Sequence, residues 1–412
     1  MTYRTYDPER DEAAAIRIWT ECGWLKPDVG SDMLEAFRAF LACGDADVAQ
    51  EKGAAECLVS THAAFLRVLK VEVPFCVVSS VTVSRVLRQR GAAGTLLARV
   101  LARAAEAGDA AAGLGIFDQG FYDKLGFGCY PYLHRVSFDP LDLQVPRLER
   151  SPIRLSRKDI PRMVANIMER RPNHGMVRIP HPDFYRLETF EPENGFGLGF
   201  EDEDGRLSSH FWATAKGESG PYEVHWTAFR DFEGLLELLS AIRSLGDQVQ
   251  GVIMREPYGV QIQDLLKRPF RNREIVSDGP FRNQMTASSW KQIRILDLNS
   301  VLEPLALPAG RVEFNLELRD PIERFLAKKA GWRGLSGSYV VRLDAGGSRA
   351  EPGSAAGLPL MRSSVNAFSR LVFGVAPASG LAATDELEAP EPLVRDLDEK
   401  LLLPRPEFVQ LF

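Results

Sequence analysis

The sequence has few cysteines and lacks the segments that direct a chain into or across a membrane. Its 412 residues include five cysteines, an odd number with no CxxC pair at zinc spacing, which favours reduced thiols. The first residues, MTYRTYDPERDEAAAIRIW, are acidic and mixed, without the basic start and apolar run of a signal peptide. No apolar stretch reaches the ~20 residues of a membrane span. We therefore expect a cytoplasmic protein with no membrane span.

An excess of basic residues is also missing. Lys and Arg total 50 against 56 Asp and Glu, a formal net charge of -6. This balance argues against a nucleic-acid partner, because neutralising phosphates needs clustered cations. The six histidines do not group as metal ligands and no Ser/His/Asp or P-loop arrangement stands out, so we expect no metal. With 45% hydrophobic residues, the chain can bury several cores, and its length suggests about two to four domains.

Helical and strand patterns alternate along the chain, which predicts an α/β (α+β) fold class with mixed central sheets. Asp7 before Pro8 is an N-cap signal for a first helix. The β-branched run from Phe75 to Val83 predicts a buried strand, and a long helix with apolar residues at helical spacing follows and ends at Gly108. From Arg154 to about Leu296 the same order of elements recurs loosely.

A short basic segment with small residues joins that strand to the long helix. Arg88 to Gly94 reads RQRGAAG and matches the pattern R-x-x-G-x-G/A. Small residues let a backbone approach a pyrophosphate, and the free N–H groups of a helix N-terminus stabilise its charge. Arg88 and Arg90 can add charge-assisted hydrogen bonds. By itself the pattern is equally typical of an ordinary basic helix start.

A second segment follows at a fixed distance. The predicted strand Ala112 to Phe117 leads directly into GFYDKLGFG. Together the two segments, over about Val77 to Gly128, resemble the GNAT acyltransferases, which use acetyl-coenzyme A as cosubstrate. The resemblance implies that the backbones of Val81, Thr82 and Val83 lie beside the pantetheine arm like an added strand. It further implies a cofactor-binding set of Arg88, Gln89, Arg90, Gly91, Ala92, Ala93 and Gly94 around the pyrophosphate, with Phe117 and Asp118 bordering the thioester.

Tyr122 occupies the position at which many GNAT enzymes place a tyrosine that protonates the departing thiolate. A phenol with a pKa of about 10 can supply a proton to a thiolate whose conjugate acid has a pKa of about 8.5. The alternative is a partly buried aromatic side chain on a short helix. The resemblance favours Tyr122 as the general acid of a direct transfer in a ternary complex, which needs no cysteine nucleophile.

The whole chain resembles the Eis-type (enhanced intracellular survival) acetyltransferases. That resemblance implies a GNAT domain at residues 1–146, a second GNAT-like domain without the cofactor turn at 147–296, and a sterol-carrier-protein-like domain at 297–412. In such proteins the terminal carboxylate acts as general base, which here implies Phe412; the alternative is an apolar tail packed on its own domain. Relatives of this type form rings of subunits, so we expect a homo-oligomer such as a hexamer.

The acceptor is the least defined part of the prediction. In GNAT folds the wall of the acceptor pocket usually comes from the helix pair before the second strand, which implies Trp24, Asp28 and Phe37 as substrate-binding residues. Carboxylates and aromatic faces suit a cationic amine; the alternative for each of these residues is a solvated loop with aromatic side chains of the core. An aminoglycoside, a polyamine, a lysine side chain or a peptide N-terminus fits equally well. The alternative function is a non-catalytic sensor that binds acyl-coenzyme A or a lipid.

Overall fold

The computed structural model describes residues 1–190, 194–267, 279 and 281–407. The first strands are β1 (Thr2–Thr5), β2 (Asp45–Glu51), β3 (Ala54–Val68), β4 (Val71–Val83), β5 (Ala111–Gly115), β6 (Gly128–Cys129) and β7 (Leu133–Phe138). The helices among them are α1 (Pro8–Cys22), α2 (Ser31–Ala42), α3 (Ala92–Glu106) and α4 (Gln119–Tyr122). Asp7 caps α1 as predicted, since its side chain accepts a hydrogen bond from the Glu9 N–H.

The rest of the described chain forms two further groups of elements. The second group contains β8 (Ile153–Leu155), α5 (Ile160–Glu169), β9 (Val177–Arg178), α6 (Pro182–Glu188), β10 (Gly195–Glu201), β11 (Leu207–Ala215), β12 (Tyr222–Phe229), α7 (Phe232–Ser244), β13 (Val252–Arg255), β14 (Gln284–Ser288) and β15 (Lys291–Ile295). The third contains α8 (Leu298–Leu302), β16 (Arg311–Arg319), β17 (Gly337–Asp344), β18 (Arg349–Pro352), β19 (Leu360–Ser364), α9 (Val365–Val372), α10 (Ala378–Thr384), β20 (Leu387–Glu388) and α11 (Glu391–Lys400).

The first two groups build similar sheets and exchange a strand. The first sheet has the order β1-β2-β3-β4-β5-β15-β6, with β9 beside β3, and the second has the order β14-β7-β13-β12-β11-β10-β8. Each contains a parallel pair, β4 with β5 and β12 with β13. Strand β15, the last strand of the second group, pairs with β5 of the first group, and β7, the last strand of the first group, pairs with β13 of the second. The sheets therefore cross the predicted boundary at residue 146.

Helix α3 packs against the first sheet in an orientation that matters for the site. Its buried residues include Leu96, Leu97, Val100 and Leu101, and they share a core with residues of β3, β4 and β5. On the same side the fully buried carboxylate of Asp47 on β2 accepts hydrogen bonds of 2.7 Å from both Arg99 and Arg103. These contacts fix the position of α3 on the sheet. Its N-terminus comes shortly after the end of β4 in the chain.

A buried ion pair joins the third group to the first sheet. The third sheet has the order β18-β17-β16-β19-β20. Arg294 on β15 and Asp320 after β16 are both 0% exposed, and Nη2 lies 2.7 Å from Oδ2. The Asp320 carboxylate also accepts from the N–H groups of Ile322 and Leu335. Within the described ranges, no helix is long and apolar enough to cross a membrane.

A buried histidine at the junction of the three groups predicts a pH-dependent stability. His174 Nδ1 accepts from the Leu69 N–H and Nε2 lies 3.1 Å from the Phe373 carbonyl, so these partners assign the neutral Nε2–H tautomer. Burial lowers the pKa of His174. The unfolded chain therefore takes up a proton below about pH 6.5 that the folded chain resists, and stability is lost as the pH falls.

We expect His174→Gln to reduce this loss. The measurement is the unfolding free energy in urea at pH 7.5 and at pH 5. The decrease between these two pH values should be smaller in the variant than in the wild type by roughly 1–2 kcal/mol. His181→Gln, at an exposed histidine, is the control and should leave the fall unchanged. An equal fall in the wild type and in His174→Gln would contradict the assignment.

Candidate active site

Strands β4 and β5 separate part of the way along their length. Their parallel pairing runs from Phe75 with Ala111 to Val78 with Leu114 and stops there. Further on, β4 remains paired with β3 and β5 remains paired with β15. Among the described residues no strand pairs with the edge of Val81 to Val83 that faces away from β3. Such an edge offers backbone groups to an extended, amide-containing ligand.

A β-bulge in β4 lies just beyond the point of separation. The register with β3 shifts between Leu58 and Ser60, and Ser80 has a positive φ of 55°. Its buried hydroxyl accepts a 2.9 Å hydrogen bond from Ser60. Bulges bend and twist a strand, which accounts for the divergence of β4 from β5. Sequence analysis missed Ser80, although Ser79 and Ser80 interrupt an otherwise apolar run.

The predicted cofactor turn connects the open edge to α3. Buried Leu87 anchors it, and Gln89 and Gly91 both have positive φ, 62° and 77°. Gly91 is the N-cap of α3 and provides no side-chain cap. Within the described part of the chain, the N–H groups of Ala92, Ala93 and Gly94 have no acceptor. The turn therefore presents free donors and a helix N-terminus, which together suit a phosphate.

The side chains of the turn add positive charge. Arg88 is exposed and forms no ion pair with any described residue. Arg90 is exposed as well and donates a 3.0 Å hydrogen bond to Glu51. At Gly94 a Cβ atom would come within 2.8 Å of the Phe325 ring, so the small residue there also allows the third group to approach α3.

Tyr122 lies beside the separated strands. It is 1% exposed and shares a core cluster with Val78 and Leu114, the last paired residues of β4 and β5. Burial raises the pKa of Tyr122 above its ordinary value, and the Asp118 carboxylate adds to the shift. The hydroxyl makes no hydrogen bond with any described residue, so its proton is available to another acceptor.

The two residues predicted to border the thioester, Phe117 and Asp118, lie beside Tyr122. Phe117 is exposed, and its ring centroid lies 5.6 Å from that of Tyr122. Asp118 caps the short helix α4 by accepting from the Gly120 N–H. The structure thus places Phe117 and Asp118 beside Tyr122, and Val81 and Val83 pack against the core cluster to which Tyr122 belongs.

Side chains of the second and third groups hold the segment that contains Tyr122 by hydrogen bonds to its backbone. Asn366 on α9 donates to the carbonyls of Asp123 at 2.9 Å and Phe127 at 2.7 Å. Arg294 donates to the Leu125 carbonyl. Sequence reasoning found neither Asn366 nor Arg294, because these partners lie far from the segment in sequence and no local pattern marks them.

The predicted acceptor residues separate into an exposed pair and a buried one. Trp24 and Asp28 are exposed in the loop between α1 and α2. Phe37 is fully buried, with its ring centroid 4.6 Å from that of Trp19. Trp19 in turn lies 5.1 Å from Trp24. Phe37 can therefore act on an acceptor only indirectly, by supporting the two tryptophans.

Two further predictions concern the tail and a metal. Phe412, the predicted base, lies outside the described residues, which end at Glu407. Before that point, the Glu407 N–H donates to the His174 carbonyl at 2.6 Å and its carboxylate accepts from Asn173 at 2.7 Å. In the described ranges, no three His, Cys, Asp or Glu side chains are grouped as metal ligands.

Comparison with known proteins identifies the first part of the chain. Residues 2–130 match the family model described as an acetyltransferase (GNAT) domain. The chain carries a GNAT acetyltransferase domain. The match confirms the predicted enzyme class and covers the open strand edge, the turn and Tyr122. No curated protein matches the sequence.

Solved structures resemble the chain over almost its whole length. A probable N-acyltransferase from Enterococcus faecalis is 15% identical with a TM-score of 0.79, and the match covers 98% of this chain and 97% of that one. A GCN5-related N-acetyltransferase from Anabaena variabilis is 15% identical with a TM-score of 0.78, and Eis1 from Mycobacterium abscessus is 15% identical with a TM-score of 0.76; both matches cover 100% of both chains. These likenesses confirm the predicted mixed α/β fold class with tandem GNAT-like folds.

The second GNAT-like fold lacks the features that suit a phosphate in the first. In the GNAT domain the connection from β4 to α3 runs from Ser84 to Gly91, whereas only Arg230 and Asp231 separate β12 from α7. The Asp231 carboxylate caps α7 by accepting a 2.9 Å hydrogen bond from the Gly234 N–H. The N-terminus of α7 therefore already carries an anionic cap. Of these two connections, the one in the GNAT domain is the one that suits a phosphate.

The GNAT turn permits a controlled test by substitution. Gly91→Val should raise the Kd for acetyl-coenzyme A by about tenfold or more, because a β-branched residue disfavours the positive φ that orients the helix N-terminus. Gly53→Val is the matched control, since both glycines have positive φ and neither Cβ would meet an atom within 4 Å. Titration calorimetry should give wild-type affinity for the control. Equal affinity in the two variants would contradict the role of the turn.

Proposed function

We propose that the chain is an acetyl-coenzyme A-dependent N-acetyltransferase that acts on a primary amine of the aminoglycoside, polyamine or lysine type. The observation that carries the proposal is the open edge of β4, which ends in a turn with free N–H groups and whose Val81 and Val83 pack against the core cluster that contains Tyr122. The GNAT domain match and the probable N-acyltransferase among the structural neighbours support the reaction class. The exposed pair Trp24 and Asp28 supports a cationic acceptor.

In this proposal each part of the site has one task. The backbones of Val81, Thr82 and Val83 bind the pantetheine arm, and the N–H groups of the turn with Arg88 bind the pyrophosphate. The neutral amine attacks the thioester carbonyl carbon, the C–S bond breaks, and the leaving sulfur takes the Tyr122 proton. The raised pKa of Tyr122 keeps the phenol protonated at neutral pH, and the surrounding aromatic rings keep water out.

The proton of the attacking amine requires a base, for which we retain the terminal carboxylate of Phe412 as a proposal. A free α-carboxylate has a pKa of about 3.3–3.7 and is a weak base unless desolvation raises it. Extending the chain beyond Phe412 by a few residues should therefore lower kcat strongly and leave acetyl-coenzyme A binding intact. Full activity of the extended chain would contradict this role.

The acceptor class is tested by measuring thiol release from acetyl-coenzyme A against a panel of aminoglycosides, polyamines and lysine peptides, with mass spectrometry of the products. We expect release that depends on at least one amine, together with a product heavier by one acetyl group. Acetyl-coenzyme A binding without transfer to any amine would contradict the enzyme and favour the alternative of a sensor.

Four further predictions remain proposals. The domain limits at residues 146 and 296, the sterol-carrier likeness of the third unit, the homo-oligomer and the cytoplasmic location each await their own test. For the oligomer, light scattering on the full chain gives the mass directly, and a monomer at working concentration would contradict it.

A further inference from the structure

The second sheet and the elements packed on it, hereafter the second unit, border a cleft that the proposed reaction does not use. Its volume is 790 Å³, within the range of about 300–1,000 Å³ that is common for small-molecule sites. It lies where β12 and β13 separate beyond the pair Val224 and Met254, in the same relative position as the cofactor cleft of the GNAT domain. The segment from Arg405 to Glu407 forms one wall. Because Asp231 already caps the N-terminus of α7, this helix end does not offer the free N–H groups that suit a pyrophosphate in the GNAT domain.

Each carboxylate that lines this cleft already has partners. Glu256 lies 3.1 Å from His134 and accepts from the Ile262 N–H at 3.0 Å. Glu407 accepts from Arg170 and from Asn173. Asp231 accepts from the Gly234 N–H. Both carboxylate oxygens of Glu256 and of Glu407 are engaged, so these two side chains offer less to a cationic ligand than free carboxylates would.

Positive groups in the same cleft remain available. Arg171 is exposed and makes no hydrogen bond or ion pair with any described residue. Arg405 donates to the backbone carbonyl of Tyr132 at 2.6 Å, which leaves its charge without a carboxylate partner in the described ranges. Arg230 is paired with Asp202 and Glu169, yet its buried Nε has no described acceptor. The unsatisfied groups in the cleft are therefore donors on cations.

Aromatic side chains surround the same opening. Tyr132 is 64% exposed and Phe232 is 55% exposed, and Tyr258 lies beside them in the lining of the cleft. Large aromatic side chains grouped at the surface are typical of a binding site, because their exposure to water is otherwise unfavourable. They offer flat faces on which a planar ring can stack.

From these contacts we propose that the cleft of the second unit binds a planar aromatic carboxylate. The ring lies against Tyr132, Phe232 and Tyr258, and the carboxylate accepts hydrogen bonds from Arg171 and Arg405. Arginine is well suited to this task because its planar fork binds both oxygens of a carboxylate. The site lies in the second unit and does not depend on acetyl transfer.

The test is titration calorimetry of the full chain with 4-hydroxybenzoate, performed with acetyl-coenzyme A present in excess so that the GNAT site is occupied. We expect binding that is about tenfold or more weaker in the double variant Arg171→Gln with Arg405→Gln. The double variant Arg362→Gln with Arg395→Gln, at two exposed arginines outside the lining of the cleft, is the charge-matched control and should bind as the wild type does. The melting temperature of each variant verifies that it is folded.

Two further probes separate the contributions of the charge and the ring. The neutral 4-hydroxybenzamide and the non-aromatic inorganic phosphate should each bind more weakly than 4-hydroxybenzoate. The proposal is overturned if 4-hydroxybenzoate does not bind, if the double variant binds it as the wild type does, or if either probe binds equally well. Since the readout is binding, these outcomes are independent of whether any amine is acetylated.

Discussion

Replacing Tyr122 by Phe should lower kcat by about 10²-fold or more, the usual contribution of a positioned general acid. The Kd for acetyl-coenzyme A should change little, because the proposed contacts to the cofactor come from backbone groups of β4 and from the turn. The hydroxyl makes no hydrogen bond with a described residue, so the variant keeps its ring contacts with Phe117, Phe121 and Phe127. The fold should therefore be preserved.

The pH dependence provides a second readout of the same residue. Because burial raises the pKa of Tyr122, its ionisation should not lower the wild-type kcat between pH 7 and pH 9.

The matched control for Tyr122→Phe is Tyr339→Phe, since Tyr339 lies in the third group of elements and donates to the Leu335 carbonyl. Unchanged kcat in Tyr122→Phe would remove the general acid from the account.

The largest expected effect on stability comes from Asp320→Asn. The substitution preserves the volume of the side chain and removes the charge that faces Arg294, and both side chains are 0% exposed. A buried guanidinium without its anion should destabilise the fold by about 3–5 kcal/mol. Urea unfolding of the variant and the wild type at pH 7.5 measures the difference.

Two controls define what this result means. The double variant Arg294→Met with Asp320→Leu should recover part of the lost stability, because it removes both buried charges but leaves the N–H groups of Ile322 and Leu335 without their acceptor. Arg395→Gln removes a charge from an exposed pair with Glu391 and should cost less than about 1 kcal/mol. An Asp320→Asn variant as stable as the wild type would show that the pair contributes nothing to the junction.

The parts of the molecule that could be predicted from sequence are those whose signals are local. The turn from Arg88 to Gly94 and the segment around Tyr122 are contiguous, and small residues at fixed spacing reflect the backbone geometry directly. The structure places the turn at the N-terminus of α3 and Tyr122 beside the separated strands. Phe37 illustrates a residue for which the sequence left two interpretations open: with Phe40 and Leu41 it forms an apolar face of α2 that is buried, in agreement with the alternative of a core aromatic side chain.

The exchanged strands could not be predicted in the same way. Strand β15 reads KQIRI, and its polar residues Gln292 and Arg294 are both buried. Their partners are Asp123, 2.7 Å from Gln292, and Asp320, each brought near only by the complete fold. Such a strand lacks the simple alternation of apolar and polar residues on which sequence reasoning depends. A hydrogen bond and an ion pair between distant segments thus stabilise a part of the sheet that local patterns do not reveal.

The central claim is that the GNAT domain alone binds the cofactor, at the open edge of β4 and the turn that follows it. Titration calorimetry of acetyl-coenzyme A with the wild-type chain tests this claim most directly. We predict one molecule bound per chain, with binding weakened by Gly91→Val and unaffected by Gly53→Val. Two molecules bound per chain, or no binding at all, would contradict the account.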